Sequence, residues 1–258
     1  MYGINDKIVV FDQQTLIPNG TIDWPWPENM LDFYNENNIP YIIVNSPDLL
    51  NTWVNDDHLE QREEVFIDIS SNKIINDGTS YVTISNLPVP SILSANNAIY
   101  TIDSDTFNFT TTQSGPIWVQ MVGKYKDEGH QILAKSLPEF KDNIWERVKI
   151  IRDEKIDAGV TVPDIGPFDT DLTSRTNINA AVTSALIAKV TNAPFSITWK
   201  LQNNVTIELD ADQMIAVGTA VTEYTTQCHA RSEALNTTIY AATSLPELDA
   251  IDITQGWP

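Results

Sequence analysis

Hydrophobic and polar positions change their spacing along this chain, from alternation in the middle to a helical period near the end. In the middle third, segments such as Glu64–Ile69 and Ser80–Ile84 alternate apolar with polar side chains. Such alternation is typical of strands with one buried face. Turn residues separate about six of these segments, at intervals of about ten residues. The pattern predicts a small all-β sandwich over residues 59–126.

The segment before it predicts a small mixed α/β unit over residues 1–58. Lys7–Phe11 and Tyr41–Val44 are apolar runs that favour strands, and Glu28–Asn37 has apolar residues at helical spacing. The dipeptide Asn19-Gly20 is a turn signal, so we expect it to close a hairpin.

The segment after it predicts a mainly helical domain over residues 138–258 with one β-hairpin. We expect Lys124–Pro138, which is charged and contains glycine, to be the linker into this domain. Asn203-Asn204 marks the hairpin turn, and Asp210 is a candidate N-cap. The predicted helices are Phe140–Ala158, Asn177–Thr191, Asp210–Cys228 and Ser232–Ala242. The predicted fold class is therefore α+β and multidomain.

Charge and cysteine content narrow the function classes. The chain has 35 acidic and 15 basic residues, a formal net charge of −20. This balance argues against nucleic-acid binding, because phosphates must be neutralised by cations. The single cysteine excludes an intrachain disulfide, which fits a reducing cytoplasm. We expect no membrane span, because no run of about 18 apolar residues is present, and no signal peptide.

Candidate chemistry is sparse. The chain has no Gly-x-Ser-x-Gly elbow, phosphate-binding loop or His-Glu-x-x-His motif, so we expect neither an enzyme nor a cofactor. Asp164, Asp169 and Asp171 form an acidic turn whose carboxylates are weak candidates for a calcium site. The favoured interpretation is that Asp171 or Thr173 caps the following helix and that Arg175 pairs with a carboxylate.

Four residues are candidates for contact surfaces. Trp24 and Trp26 belong to a dense aromatic group, and such rings are enriched at interfaces, although they also fill cores. Arg152 lies in the densest basic cluster, which could meet an acidic neighbouring subunit but fits a solvated helix face better. We expect Trp257 to be buried, either against the helices of its own domain or in a partner subunit.

The order of motifs in the last third resembles a known domain. Arg152–Lys155 on a helix ending at Gly159, the acidic turn Phe168–Arg175, the hairpin Ile197–Leu209 and the ending Leu248–Trp257 follow one another. This layout resembles a C-terminal domain of unknown function found in bacteriophage tail-fibre-associated and tail-fibre-assembly proteins. Phe107 to Val119 resembles the last hairpin of immunoglobulin-like modules in phage virion proteins.

The resemblance implies a virion structural protein of the tail or tail-fibre apparatus, assembled in the cytoplasm of the host bacterium. It would act in host attachment through contacts with other tail or fibre subunits, as a homo-oligomer. One alternative is a fibre-assembly chaperone that is absent from the mature particle. Another is a receptor-binding protein that recognises a glycan on the host surface.

Overall fold

The computed structural model describes residues 6–11, 18–23, 30–45, 52–55, 58–96 and 98–258. The chain divides into two compact units, Met1–Ser136 and Leu137–Pro258. Strands dominate the described part of the first unit, and long helices dominate the second. The protein is therefore a mixed α and β protein with a helical C-terminal region.

The first unit begins with a three-stranded antiparallel sheet and a short helix. Its elements are β1 (Asp6–Phe11), β2 (Pro18–Asp23), α1 (Met30–Glu36) and β3 (Tyr41–Asn45), with strand order β2-β1-β3. The turn predicted at Asn19-Gly20 is wrong, because both residues lie inside β2. Gly20 pairs with Val10 beside a register shift, a position where strands tolerate glycine.

The other strands of this unit have two to eight residues. They begin with the hairpin of β4 (Thr52–Asn55) and β5 (His58–Gln61), which pair antiparallel. The rest are β6 (Glu63–Glu64), β7 (Asp68–Ile69), β8 (Lys73–Ile75), β9 (Tyr81–Ser85), β10 (Ser91–Ala95), β11 (Ala98–Ile102), β12 (Phe107–Thr110), β13 (Gly115–Val122), β14 (Tyr125–Lys126) and β15 (His130–Lys135).

Two sheets enclose the core of the first unit. One has the order β11-β10-β13-β15-β8, and the other has the order β12-β9-β7. Leu93, Ile117 and Ile132 of the larger sheet share one buried cluster with Ile84 and Phe109 of the smaller sheet. Along β13 the buried residues alternate with exposed ones, as expected for a strand with one face on the core.

The predicted linker Lys124–Pro138 is wrong. Residues His130–Lys135 form β15, which pairs with both β13 and β8 inside the larger sheet. Ile132 and Ala134 are fully buried there. Four of the charged residues that suggested a linker, Lys124, Lys126, Asp127 and Glu128, come before this strand. The predicted sandwich boundary at residue 126 therefore separated a core strand from its sheet.

The second unit contains three long helices. Its elements are α2 (Leu137–Asp157), β16 (Val160–Val162), β17 (Gly166–Phe168), α3 (Leu172–Thr191), β18 (Ile197–Lys200), β19 (Thr206–Leu209), α4 (Ala211–Ala241) and α5 (Leu245–Asp249). The predicted hairpin is confirmed as β18 and β19, with Asn204 at φ 67° in its turn. The expectation of a single hairpin is wrong, because β16 and β17 form a second one.

A single helix, α4, holds this unit together. The predicted break between Cys228 and Ser232 is wrong, because α4 continues through both residues and buries them. No glycine or proline lies there to interrupt it. The first half of α4 packs on α3 and the hairpins through Met214 and Val217. Its second half packs on α2 through Leu235 and Ile239.

Candidate functional site

Helix α3 presents two opposite faces, and the inner face fixes its position. Asp171 is the N-cap: its carboxylate accepts the backbone N–H groups of Thr173 at 2.9 Å and Ser174 at 3.2 Å. Asn192 ends the helix in the left-handed conformation, a common helix terminator. The inner face is buried and consists mostly of small residues: Ile178, Ala181, Ala185 and Ala188.

These small residues let α3 approach α4 closely. At the contact, Gly218 of α4 lies against Val182 of α3, where an added Cβ would be 2.5 Å from Cγ2 of Val182. Such a distance leaves no room for a side chain. The orientation of α3 about its own axis is therefore fixed by packing.

The outer face of α3 is exposed, uncharged and half apolar. Leu172 is 72% exposed, Leu186 48% and Val190 84%. They belong to a stripe with spacings of four and three residues, which at 100° per residue covers about 80° of the helix surface, opposite the buried face. We call this set the outer stripe: Leu172, Thr176, Asn179, Thr183, Leu186 and Val190. Ile187, 60% exposed, flanks it.

The hydroxyl groups of the two threonines in the outer stripe donate hydrogen bonds to their own helix. Thr176 Oγ1 donates to the carbonyl oxygen of Leu172 at 2.8 Å, and Thr183 Oγ1 donates to that of Asn179 at 2.8 Å. A hydroxyl bonded back to its own helix can leave water at little cost. The stripe can therefore be covered by an apolar surface.

Charge is absent from the outer stripe. Helix α3 contains no Asp or Glu, although the whole chain contains 35 of them. Its two cations both lie off the stripe and are paired, Arg175 with Asp157 at 3.5 Å and Lys189 with Asp212. The outer stripe is thus an uncharged surface, with three apolar side chains, on a strongly acidic protein.

The first unit has a separate pocket of about 280 Å³. It is lined by Trp53 of β4, Ser91 and Ile92 of β10, and Lys124 and Tyr125 near β14. Two polar atoms at this place, Trp53 Nε1 and Ser91 Oγ, are buried and have no hydrogen-bond partner among the described residues. Unsatisfied buried polar groups are rare and costly in folded proteins.

The only cation in the lining of this pocket is neutralised. Lys124 Nζ lies 2.9 Å from a carboxylate oxygen of Glu63 and 5.1 Å from the centre of the Tyr125 ring. The hydrogen bond to Glu63 raises the pKa of Lys124. The pocket therefore combines aromatic rings with a paired charge, which favours an uncharged ligand over an anionic one.

Arg62 fixes one wall of the pocket. Its guanidinium group donates to the carbonyl oxygens of Met121 at 2.9 Å, Gly123 at 3.0 Å and Tyr125 at 2.5 Å. Asp127 Oδ1 accepts the backbone N–H of Met121 at 2.8 Å. Burial lowers the pKa of Arg62, and the charge of Asp127 opposes this effect. The hydrogen bonds of Arg62 and Asp127 thus fix the turn that carries Lys124 and Tyr125.

The acidic turn has structural roles. Asp164, at φ 61°, lies in the hairpin turn between β16 and β17, where Ile165 N donates to the carbonyl oxygen of Val162 at 3.1 Å. Asp169 is exposed after β17. Asp171 caps α3, and Arg175 pairs with Asp157, so the favoured interpretation of these residues is confirmed. Among the described residues, no three or more His, Cys, Asp or Glu side chains are grouped to hold a metal ion.

The predicted contact residues do not converge on one site. Trp24 and Trp26 lie outside the described residues. Arg152 pairs with its neighbour Asp153 at 2.8 Å on α2. Cys228 is buried inside α4, which raises the pKa of its thiol.

Trp257 lies, half-buried, on the cluster formed by α2 and α4. Its indole N–H donates to the carbonyl oxygen of Ile253 at 3.0 Å. Arg231 of α4 holds the same segment by donating to the carbonyl oxygen of Gln255 at 2.9 Å. Of the two packings expected for Trp257, the structure has the one against its own domain.

Comparisons with known proteins identify one region. Residues 139–255 match a family described as Domain of unknown function (DUF4376). No curated protein and no solved structure matches the chain. The family description names no activity or partner, so the tail context predicted above stays a prediction. In the part of the chain that the structure describes, no helix is long and apolar enough to cross a membrane.

Sequence reasoning missed both surfaces described here. The outer stripe is visible in the sequence as a second series of spacings of four and three residues on the Ala-rich helix, displaced from the buried series. The pocket has no such signal, because Trp53, Ser91 and Lys124 are far apart in sequence. The pairing of β10 with β13 brings Ser91 close to Lys124, which follows β13, and Trp53 of β4 completes the lining.

Proposed function

We propose that this protein is a structural component of a bacteriophage tail or tail-fibre apparatus and acts through protein–protein contacts. The motif order of the last third supports the tail context. The outer stripe of α3 is the observation that carries the mode of action: a neutral apolar face on a chain of net charge −20. Exposed apolar side chains grouped on one face, as Leu186, Ile187 and Val190 are, are typical of contact sites.

The proposed domain layout follows the sequence prediction with two changes. A small N-terminal unit ends near residue 61 instead of 58, because β5 pairs with β4, an immunoglobulin-like sandwich follows, and the helical domain begins near residue 138. The sandwich is extended from residue 126 to Lys135, because β15 belongs to its larger sheet. In this layout the helical domain provides the contact surface, and the pocket lies between Trp53 of the N-terminal unit and β10 of the sandwich.

Quantitative mass spectrometry of gradient-purified particles of the phage that encodes the chain tests this proposal. We expect its peptides at a fixed ratio to those of other tail proteins. The same measurement on assembly intermediates separates the rival functions. Peptides that appear in the intermediates and are absent from mature particles would replace this proposal with that of an assembly chaperone.

Binding of a host-surface glycan is a second candidate function, favoured by the pocket around Trp53. Aromatic rings beside unsatisfied polar groups suit a neutral sugar, which offers both apolar C–H faces and hydroxyl groups. A glycan array on the wild-type protein should reveal a neutral ligand.

Two tryptophan variants test whether that ligand occupies the pocket. Trp53→Ala should abolish binding. Trp118→Ala is the matched control, because Trp118 is an exposed tryptophan of the same unit outside the pocket lining. Equal loss of binding in both variants would exclude the pocket.

A further inference from the structure

We infer that the outer stripe of α3 is a self-association surface, against which α3 of a second copy of this chain packs in antiparallel orientation. This inference rests on the contact function proposed above and names the partner. The stripe has the geometry of a two-helix seam. Its spacings of four and three residues place one side chain per half-heptad along the whole helix, about 30 Å for 20 residues.

Electrostatics permits a second copy at this face. Two chains of net charge −20 repel each other, and a contact on a face without carboxylates keeps this repulsion smaller than a contact elsewhere on the acidic surface. The outer stripe is such a face, since α3 has no acidic residue and its cations are paired off the stripe. A strongly charged partner would lose solvation there without gaining an opposite charge. An anionic membrane surface would be repelled by the rest of the chain.

The stripe is self-complementary in the antiparallel orientation. With a two-fold axis at Ala181, Leu172 meets Val190 of the second copy, Thr176 meets Leu186 and Asn179 meets Thr183. The most exposed apolar residues are thereby paired with each other at both ends. The polar pair falls in the centre, where an Asn can fix the register of two helices. A two-fold contact uses the same surface on both copies, as in most homodimers.

The hydrogen bonding of the stripe permits close contact. The hydroxyl groups of Thr176 and Thr183 stay bonded to their own helix at 2.8 Å. Their methyl groups remain available for packing. Asn179 supplies the one polar side chain in the stripe without such a bond, and in the antiparallel pair it faces Thr183 of the second copy.

Sedimentation equilibrium of the full-length chain tests the self-association. We expect a dimer at micromolar concentration and a monomer for Leu186→Lys, with at least a tenfold weaker dimerisation constant. Ile150→Lys is the matched control: Ile150 is 58% exposed on α2, away from α3. Circular dichroism melts of both variants confirm that each is folded.

Disulfide trapping tests the orientation. In the antiparallel pair, Leu172→Cys combined with Val190→Cys should cross-link between chains, because the two positions face each other. Val190→Cys alone should not, because its two copies lie about 27 Å apart along the helix axes. Cys228 is buried and does not compete.

Three outcomes would overturn the inference. A wild-type monomer at all concentrations would exclude self-association, and equal dimerisation of Leu186→Lys would place the contact elsewhere. Efficient cross-linking of Val190→Cys alone would exclude the antiparallel arrangement. None of these results bears on the presence of the chain in phage particles, so the inference and the proposed function can fail separately.

Discussion

Gly218 of α4 and Val182 of α3 meet so closely that no side chain fits between the helices. A Cβ at position 218 would lie 2.5 Å from Cγ2 of Val182. Valine in a helix has one strongly preferred rotamer, so it cannot turn away at little cost. This contact determines which face of α3 is buried, and therefore which face is left outside.

Replacing this glycine should destabilise the protein despite a better helix propensity. Alanine gains about 1 kcal/mol over glycine in a helix interior, whereas overpacking a core costs about 1–3 kcal/mol. We expect Gly218→Ala to lower the free energy of unfolding, measured by urea denaturation. In a Val182→Ala background the same change should become neutral or stabilising. Equal effects in both backgrounds would show that the two residues do not limit each other.

The hydroxyl group of Thr170 joins the end of α2 to the following hairpin. Thr170 is fully buried, accepts the backbone N–H of Gly159 at 2.8 Å and donates to the carbonyl oxygen of Ile156 at 2.6 Å. Thr170→Val keeps the shape and leaves both backbone groups unpaired. We expect a loss of about 1–3 kcal/mol in the free energy of unfolding.

Thr176→Val is the matched control for this substitution. Thr176 is exposed, and its hydroxyl bonds only to its own helix. The control should change the stability by less than about 0.5 kcal/mol. A similar loss in both variants would mean that the two buried hydrogen bonds of Thr170 contribute nothing specific.

The cap of α3 should make stability depend on pH. Hydrogen bonds from the Ser174 side chain and from the backbone of Ser174 and Thr173 lower the pKa of Asp171 in the folded protein. A carboxylate with a lowered folded-state pKa stabilises the protein above its unfolded-state pKa, which is about 4. That contribution is lost as the pH falls through the lowered folded-state value.

We therefore expect Asp171→Ala to lower the melting temperature at pH 7, and the difference from wild type to shrink as the pH falls below about 4. Thermal melts between pH 7 and pH 2.5 measure it. Asp169→Ala, on the exposed residue two positions earlier, is the control. A difference that stays constant over this range would show that the charge of Asp171 plays no part in capping.

The C-terminal segment should stabilise the second unit through Arg231 and Trp257. Arg231 donates to the carbonyl oxygens of Gln255 and Asp252, and Trp257 packs half-buried on the cluster that contains Leu235. Truncating a half-buried ring removes about 1–2 kcal/mol of apolar burial. We expect Trp257→Ala to lower the free energy of unfolding by about that amount. Adding Arg231→Ala to Trp257→Ala should lower it little further. Fully additive effects would mean that the two residues act independently.

The sequence predicts the second unit better than the first, for physical reasons. Its helices are long, and the Asp210 cap begins α4 where predicted. Helix α3 begins at Leu172, after the Asp171 cap and five residues before the predicted start at Asn177. In the first unit, β10 has the sequence Ser-Ile-Leu-Ser-Ala and β15 follows a charged turn. Neither has strong strand propensity, so pairing with β13 between them decides their structure.

The candidate sites, too, divide into those that depend on local sequence and those that depend on long-range contacts. The capping role of Asp171 is local and could be predicted. The sequence also predicts that Arg175 pairs with a carboxylate, but its partner Asp157 is 18 residues earlier in the chain, so the partner could not be named. The outer stripe could have been found from spacing, but a second series of apolar positions becomes meaningful only once the first is known to be buried. The pocket depends on the turn that Arg62 holds through residues about 60 positions away in sequence, and no local pattern reports such a contact.

Incorporation of variants into phage particles tests the central claim most directly. A phage lacking the gene would be complemented with wild type, Leu186→Lys or the control Ile150→Lys, and the chain in gradient-purified particles would be quantified by mass spectrometry. We expect wild type and the control at equal amounts and Leu186→Lys strongly depleted, because the added charge disrupts the apolar contact surface of α3. Particles that carry Leu186→Lys at the wild-type level would contradict the account that the protein acts through this surface.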